Sequence, residues 1–222
     1  MGLDQDRARQ RARLFDAWAA WYDTAVIASD ETFPFAGYQQ LLAAAVQSAQ
    51  PQPGMRVLDL GIGTGNLAAP FLTAGCQVWG LDFSAAMLRQ AQARLPQLQL
   101  VQADLRAAWP MAPRPLFDRI VSAYVLHEFD LPTKIGLLQR AAAGYLAPDG
   151  LMVVADIAFA TTAARTAAAQ QWADLWDDEE FYWAADETRA AGATAGLQVT
   201  YRQISSCAGL FTFRGQGRKK GA

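Results

Sequence analysis

The run Val57-Leu58-Asp59-Leu60-Gly61-Ile62-Gly63-Thr64-Gly65-Asn66-Leu67 limits what this chain can fold into more than any other stretch. An apolar segment closes on an acid, glycines then alternate with other residues, and a helical pattern follows. Glycine at alternate positions removes side chains, so a ligand can lie against bare backbone N–H groups. A helix predicted from about Asn66 would present its own unpaired amides to the same place. Strand, glycine loop and helix start together predict a cofactor site of the nucleotide-binding type.

The details narrow the cofactor. A dinucleotide fingerprint reads G-x-G-x-x-G, whereas here the third glycine comes one residue early and Asn66 takes its place. Asp59 stands two residues before Gly61. A carboxylate there would repel a pyrophosphate by a few kcal/mol at an effective dielectric of about 20, and would attract an ammonium or sulfonium. The run resembles motif I of the class I S-adenosylmethionine (SAM) dependent methyltransferases. The resemblance implies that Asp59 receives the methionine amino group, directly or through water, with Gly61, Gly63 and Gly65 beneath the cofactor.

The rest of the chain predicts an α/β fold. Near-continuous apolar strands at Met55 to Leu60, Gln77 to Asp82, Leu98 to Gln102, Phe117 to Ala123 and Leu151 to Ile157 alternate with helices. That rhythm implies a parallel sheet covered on both faces. The helix after the second strand is capped by Ser84 and stops near Pro96; the helix after the fourth begins near Pro132, and Pro148-Asp149-Gly150 turns it into strand five. At the end the rhythm breaks. Strand six, Leu197 to Ile204, is followed after Ser205-Ser206-Cys207-Ala208-Gly209 by Leu210-Phe211-Thr212-Phe213. So short a connection holds no parallel crossover, so this pair is antiparallel. A seven-stranded, mostly parallel, doubly wound Rossmann-like sheet ending in one reversed hairpin is the layout of the class I methyltransferases. Before it, residues 12 to 27 and a helix at about Tyr38 to Gln50 predict a helical cap. The expected organisation is a single domain over 1–222, with a cap at 1–50, a core at 51–214 and a solubilising tail at 215–222.

At 222 residues, 52% of them hydrophobic, the chain buries a core comfortably, yet no apolar run is long enough to cross a bilayer. A net charge of −2 argues against a broad nucleic-acid surface. The arginines at 7, 9, 11 and 13 read as a solvated helix face. Cys76 and Cys207 form no metal or redox motif and read as reduced buried thiols, and with one histidine they argue against structural zinc. No metal is expected, and the location expected is cytoplasmic.

Candidate site residues follow the strand ends. Asp82 ends strand two, 21 residues after Gly61, where a carboxylate accepts from both ribose hydroxyls; the position equally suits an Asp preceding the Ser84 cap. Phe83 would flank the adenine. The resemblance implies that Asp104 bonds the adenine amino group and the Leu105 amide a ring nitrogen, although Asp104 also suits a turn cap. Ala123 and Tyr124 close strand four beside the methyl-donating end. His127, the one imidazole of the chain, titrates near neutrality if unperturbed and suits a general base; a structural histidine fits as well. Tyr124 and His127 share a face if this turn is helical, whereas Glu128 would point away. The stretch lacks the Asn/Asp-Pro-Pro-Tyr signature of enzymes that methylate nucleic-acid and glutamine amino groups. Phe15-Asp16-x-Trp18-Ala19-x-x-Tyr22-Asp23 is similar to the first helix of stand-alone bacterial small-molecule methyltransferases, which implies that Tyr22 approaches the methionine end. The aromatic loop from Asp30 to Tyr38 is the expected acceptor wall and lid. The function expected is SAM-dependent methylation of a small molecule. The rivals are an NAD-dependent oxidoreductase, disfavoured by Asp59, and a non-catalytic SAM-binding sensor.

Overall fold

A computed structural model of the protein describes residues 31–110 and 116–215. Helix α1 (Tyr38–Ala49) puts Leu41, Leu42, Ala45 and Ala49 on one buried face, and Gly37 and Gln50, both left-handed, bracket it. The alternation then runs β1 (Arg56–Leu60), α2 (Ala68–Thr73), β2 (Gln77–Asp82), α3 (Ala85–Arg94), β3 (Gln99–Gln102) and β4 (Phe117–Ala123). After a 3-10 turn at Leu126–Glu128 come α4 (Leu131–Gly144), β5 (Leu146–Phe159), α5 (Thr162–Gln171), β6 (Trp183–Ala184), α6 (Ala185–Thr194), β7 (Leu197–Gln203) and β8 (Ala208–Gly215). Ser84 caps α3 by accepting from the Met87 amide, and Asp130 caps α4 through Thr133.

The strands lie in the order β3-β2-β1-β4-β5-β8-β7, with β6 paired to β5. All pairs are parallel except β5 with β8 and β8 with β7. Successive side chains alternate between the two faces. Val57, Val78, Val121 and Val153 therefore join α1 in one core, and Leu58, Leu81, Ile120 and Met152 join α4 in the other.

Three expectations change. The sheet has eight strands, because the two-residue β6 attaches beside β5. Pro148-Asp149-Gly150 lies inside β5, where the register jumps from Phe117↔Leu146 to Arg119↔Leu151, so these residues form a bulge. The helix after the glycine loop starts at Ala68 and is only 6 residues long. The residues at 12–27, Tyr22 among them, and 216–222 lie outside the described residues. Among the described residues no helix is long and apolar enough to cross a membrane.

Candidate functional site

Parallel strands bring their carboxyl ends to one edge of the sheet, and the chain places its acids there. Asp59 pairs in register with Gly80 of β2 and Val121 of β4, Asp82 ends β2, and Asp156 lies one residue past the Ala123↔Ala155 pair of β4 and β5. All three are buried.

The glycine loop is built differently from its sequence reading. Gly61 and Ile62 donate their amides to the Leu81 carbonyl, Gly65 donates to Ile62, and Gly63 donates to Asp82 Oδ2 at 2.8 Å. The Gly61, Ile62 and Gly63 amides tie the loop to β2, and the Gly65 amide closes the turn on Ile62, so these four are already engaged within the protein. The short α2 likewise gives no anion-binding helix start. Glycine is required because each of the three has a left-handed φ. A Cβ at Gly61 would strike Val125 at 2.4 Å, whereas one at Gly63 would meet open space. Gly63 is therefore the one of the three whose side-chain direction is open. Asn66 donates to the Tyr38 hydroxyl and accepts from Arg94, bridging α1 and α3.

Two carboxylates dominate this end. Asp82 accepts from Gly63 and, through Oδ1, from the Ser84 amide, both at 2.8 Å. These two amides fix the Asp82 carboxylate at the end of β2. Asp59 is 1% exposed, and its Oδ2 has no hydrogen-bond partner among the described residues. Burial, helped by the nearby Asp82 charge, pushes its carboxyl up to about 8. An acid held in this state fits a cationic ligand head, which would supply the missing partner and restore the charge. A pyrophosphate would meet two acids and a loop whose Gly61, Ile62, Gly63 and Gly65 amides are already engaged.

The adenine end matches less closely. Asp104 is half-exposed and forked by Arg106, whose Nη2 lies 2.8 Å from Oδ2. Burial pulls its pKa up, but Arg106 outweighs this and lowers it. Its carboxylate thus serves a local turn in this structure. Leu105 is buried, and its carbonyl accepts from the Trp109 indole. Phe83 follows Asp82, and its carbonyl accepts from Gln102.

Beyond β4 the structure corrects the sequence reading of His127. Tyr124, with φ of 53°, ends the strand and packs its ring on Phe35 and Tyr38. The helical turn begins only at Leu126, so Tyr124 and His127 do not share a helix face. His127 is buried, its Nδ1 lies 2.6 Å from Asp156 Oδ1, and its amide donates to Asp156 Oδ2. Trp183 Nε1 and the Ile157 amide also donate to Asp156. Nε2 points between Glu128 Oε1 at 3.9 Å and Glu180 Oε1 at 3.6 Å. Glu128 Oε1 therefore comes within 3.9 Å of His127 Nε2, although sequence spacing set the two apart. Burial lowers the imidazole pKa, but Asp156, Glu180 and Glu128 outweigh it and hold His127 up to about 9. It does not titrate near neutrality.

Asp156, Glu180 and Lys134 were not found from sequence. Asp156 carries a signal, as the one acid within the apolar run Leu151 to Phe159. Lys134 is buried, donates to the Phe181 carbonyl and lies 4.2 Å from the Trp183 ring centre. Glu180 carries none, since it joins the cluster only through tertiary packing. The described part of the aromatic loop is a packed wall. Phe33 stacks on Trp172 and Trp176, and Tyr182 meets both Trp176 and the His127 ring. Cys76 and Cys207 are free and buried.

Comparison with known proteins gives the family and the fold. The family model for the methyltransferase domain matches residues 57–150. An uncharacterized methyltransferase of Geobacillus thermodenitrificans is 33% identical over 207 residues, covering 88% of this chain and 92% of its own. Among solved structures, a chain of the complex between the Haloferax volcanii Trm112 methyltransferase activator and the putative methyltransferase is 20% identical. It has a TM-score of 0.70 and covers 90% of this chain and 97% of its own. The DhpI–SAH complex, at 19% identity, has a TM-score of 0.67 and covers 93% and 96%. These two share the fold.

Proposed function

As the chain belongs to the class I SAM-dependent methyltransferases, with SAM as its methyl donor, we propose that it methylates a small molecule bound between the β4 and β5 ends and the aromatic wall. The observation that carries this reading is the enclosure. Phe33, Trp172, Trp176 and Tyr182 stack into one wall beside His127. Glu180 and Tyr182 also line a cleft of about 290 Å³, which lies near the lower end of pockets that take small molecules.

SAM supplies an already activated methyl group on sulfur. The protein's task is then to orient two reactants and exclude water. In this reading Asp59 takes the cationic methionine end, Asp82 the ribose hydroxyls, and Gly63 leaves room for the ligand. Phe83, Leu105 and Asp104 border the base, with Arg106 sharing the carboxylate of Asp104. Ala123 and Tyr124 close the methyl end, with Tyr22 as the further residue that the family resemblance implies there. His127 positions the acceptor; held protonated by Asp156, it is a poor proton acceptor at neutral pH.

The test is formation of S-adenosylhomocysteine against a panel of metabolite hydroxyls, amines and thiols, with DNA, RNA and peptides run alongside. Turnover is expected only within the metabolite panel. Turnover confined to a macromolecule, or tight SAM binding with no turnover anywhere, overturns the small-molecule reading.

A further inference from the structure

We propose that His127, Glu128 and Glu180 bind one divalent first-row metal ion, of the Mn²⁺ or Zn²⁺ kind, on the acceptor side of the site. Their ligand atoms all lie within 4.8 Å of one another. His127 Nε2 is 3.9 Å from one glutamate oxygen and 3.6 Å from the other, too far for a hydrogen bond to either. Ligands about 2.0–2.2 Å from a shared metal stand roughly 3.0–3.4 Å apart. An ion bound here would displace the Nε2 proton of His127 to solvent and draw the two carboxylates in to ligand distance.

The surroundings support this use of the imidazole. A metal-bound histidine almost always fixes its other ring nitrogen on a carboxylate or carbonyl. Nδ1 of His127 does so on Asp156, and Asp156 is itself anchored by Trp183 Nε1 and two backbone amides. That set fixes the ring plane and aims Nε2 between the glutamates. A purely structural histidine needs one partner, whereas three carboxylates converge on this one. One imidazole with two carboxylates suits Mn²⁺ or Zn²⁺ better than the all-oxygen cages that Ca²⁺ and Mg²⁺ prefer.

The consequence for substrate class rests on the proposed function. Three protein ligands leave coordination positions open beside Tyr182, and these suit an acceptor carrying an oxygen next to its nucleophilic atom. The ion would orient that acceptor toward the methyl group.

Binding is measured on chelator-stripped protein with Mn²⁺ alone, from the electron paramagnetic resonance of the free ion. One ion per chain is expected. Glu180→Gln, at a partly exposed position, should weaken binding by about tenfold or more, with circular dichroism and SAM affinity unchanged. His127→Gln should do the same, and Glu180→Asp should recover part of the affinity. Absence of binding at millimolar Mn²⁺, or equal affinity in wild type and Glu180→Gln, overturns the site. Neither SAM nor acceptor is present in the titration. Its failure is thus distinct from failure of the small-molecule reading, which is read from turnover.

Discussion

A carboxylate buried without a partner is costly unless it is neutral or receives a charge. Asp59 is in that position, and its substitution separates the cost from the function. Asp59→Asn keeps the shape and removes the titration. The unliganded variant should therefore be more stable than wild type above pH 8, by on the order of 1–3 kcal/mol, as read by urea unfolding. The same change places an amide donor opposite an ammonium, so SAM affinity should fall by about tenfold or more in calorimetry. Asp82 predicts a different pattern. Asp82→Ala strands the Gly63 and Ser84 amides as well as the ligand hydroxyls. Stability and SAM affinity should then fall together, each by about 1–3 kcal/mol. An Asp82→Ala protein that binds SAM as wild type does would remove the residue from the site.

At the scale of the element, the glycine loop divides labour between two positions of the same residue type. Gly61→Ala and Gly63→Ala both force a left-handed φ on a side chain, at about 1–2 kcal/mol each. Gly61→Ala adds a collision with Val125, so it should be the more destabilising of the two in denaturant unfolding. Gly63→Ala faces open space, and its excess effect should appear as weakened SAM binding at nearly intact stability. Reversal of that order would show that Gly61, not Gly63, borders the ligand. The turn after β4 carries the companion lesson. A 3-10 turn following a left-handed Tyr124 sends the tyrosine ring to α1 and the imidazole to β5, which no helical wheel would show.

The whole molecule responds to pH through groups that burial has moved in opposite directions. Folded Asp59 keeps a proton that the unfolded chain sheds above 3.8, so its contribution falls as pH climbs from about 4 to about 8. His127 is raised from 6.5 to about 9, so the stability from its pairing with Asp156 is complete below 6.5 and is lost on passing 9. Lys134 opposes both. Burial lowers it from 10.5 to about 8, so its penalty is relieved as pH rises between those values. The melting temperature of the unliganded protein should therefore drop between pH 7 and 8, level between 8 and 9 where His127 and Lys134 offset each other, and recover between 9 and 10. Saturating SAM should reduce the first drop, because a cationic partner returns Asp59 to its charged state. A melting profile rising steadily across pH 7 to 8 contradicts the combination.

The sequence by itself determined the strand ladder apart from β6, the reversed final hairpin, α1 and the Ser84 cap. Those features rest on local periodicity, glycine and proline punctuation and side-chain capping, which act within a few residues. It also determined which acids end β1 and β2, since Asp59 and Asp82 are fixed by their place in the strand. Tertiary structure alone decided what those acids do. The loop amides turned out to be spent on Leu81 and Asp82, because the loop folds back on β2 instead of standing open. The state of His127 was likewise beyond its neighbours in sequence. Asp156 lies 29 residues away on β5, and Glu180 arrives from the segment between α5 and β6. Charge and desolvation act through space, so the chemistry of that imidazole exists only once the sheet has brought these residues together.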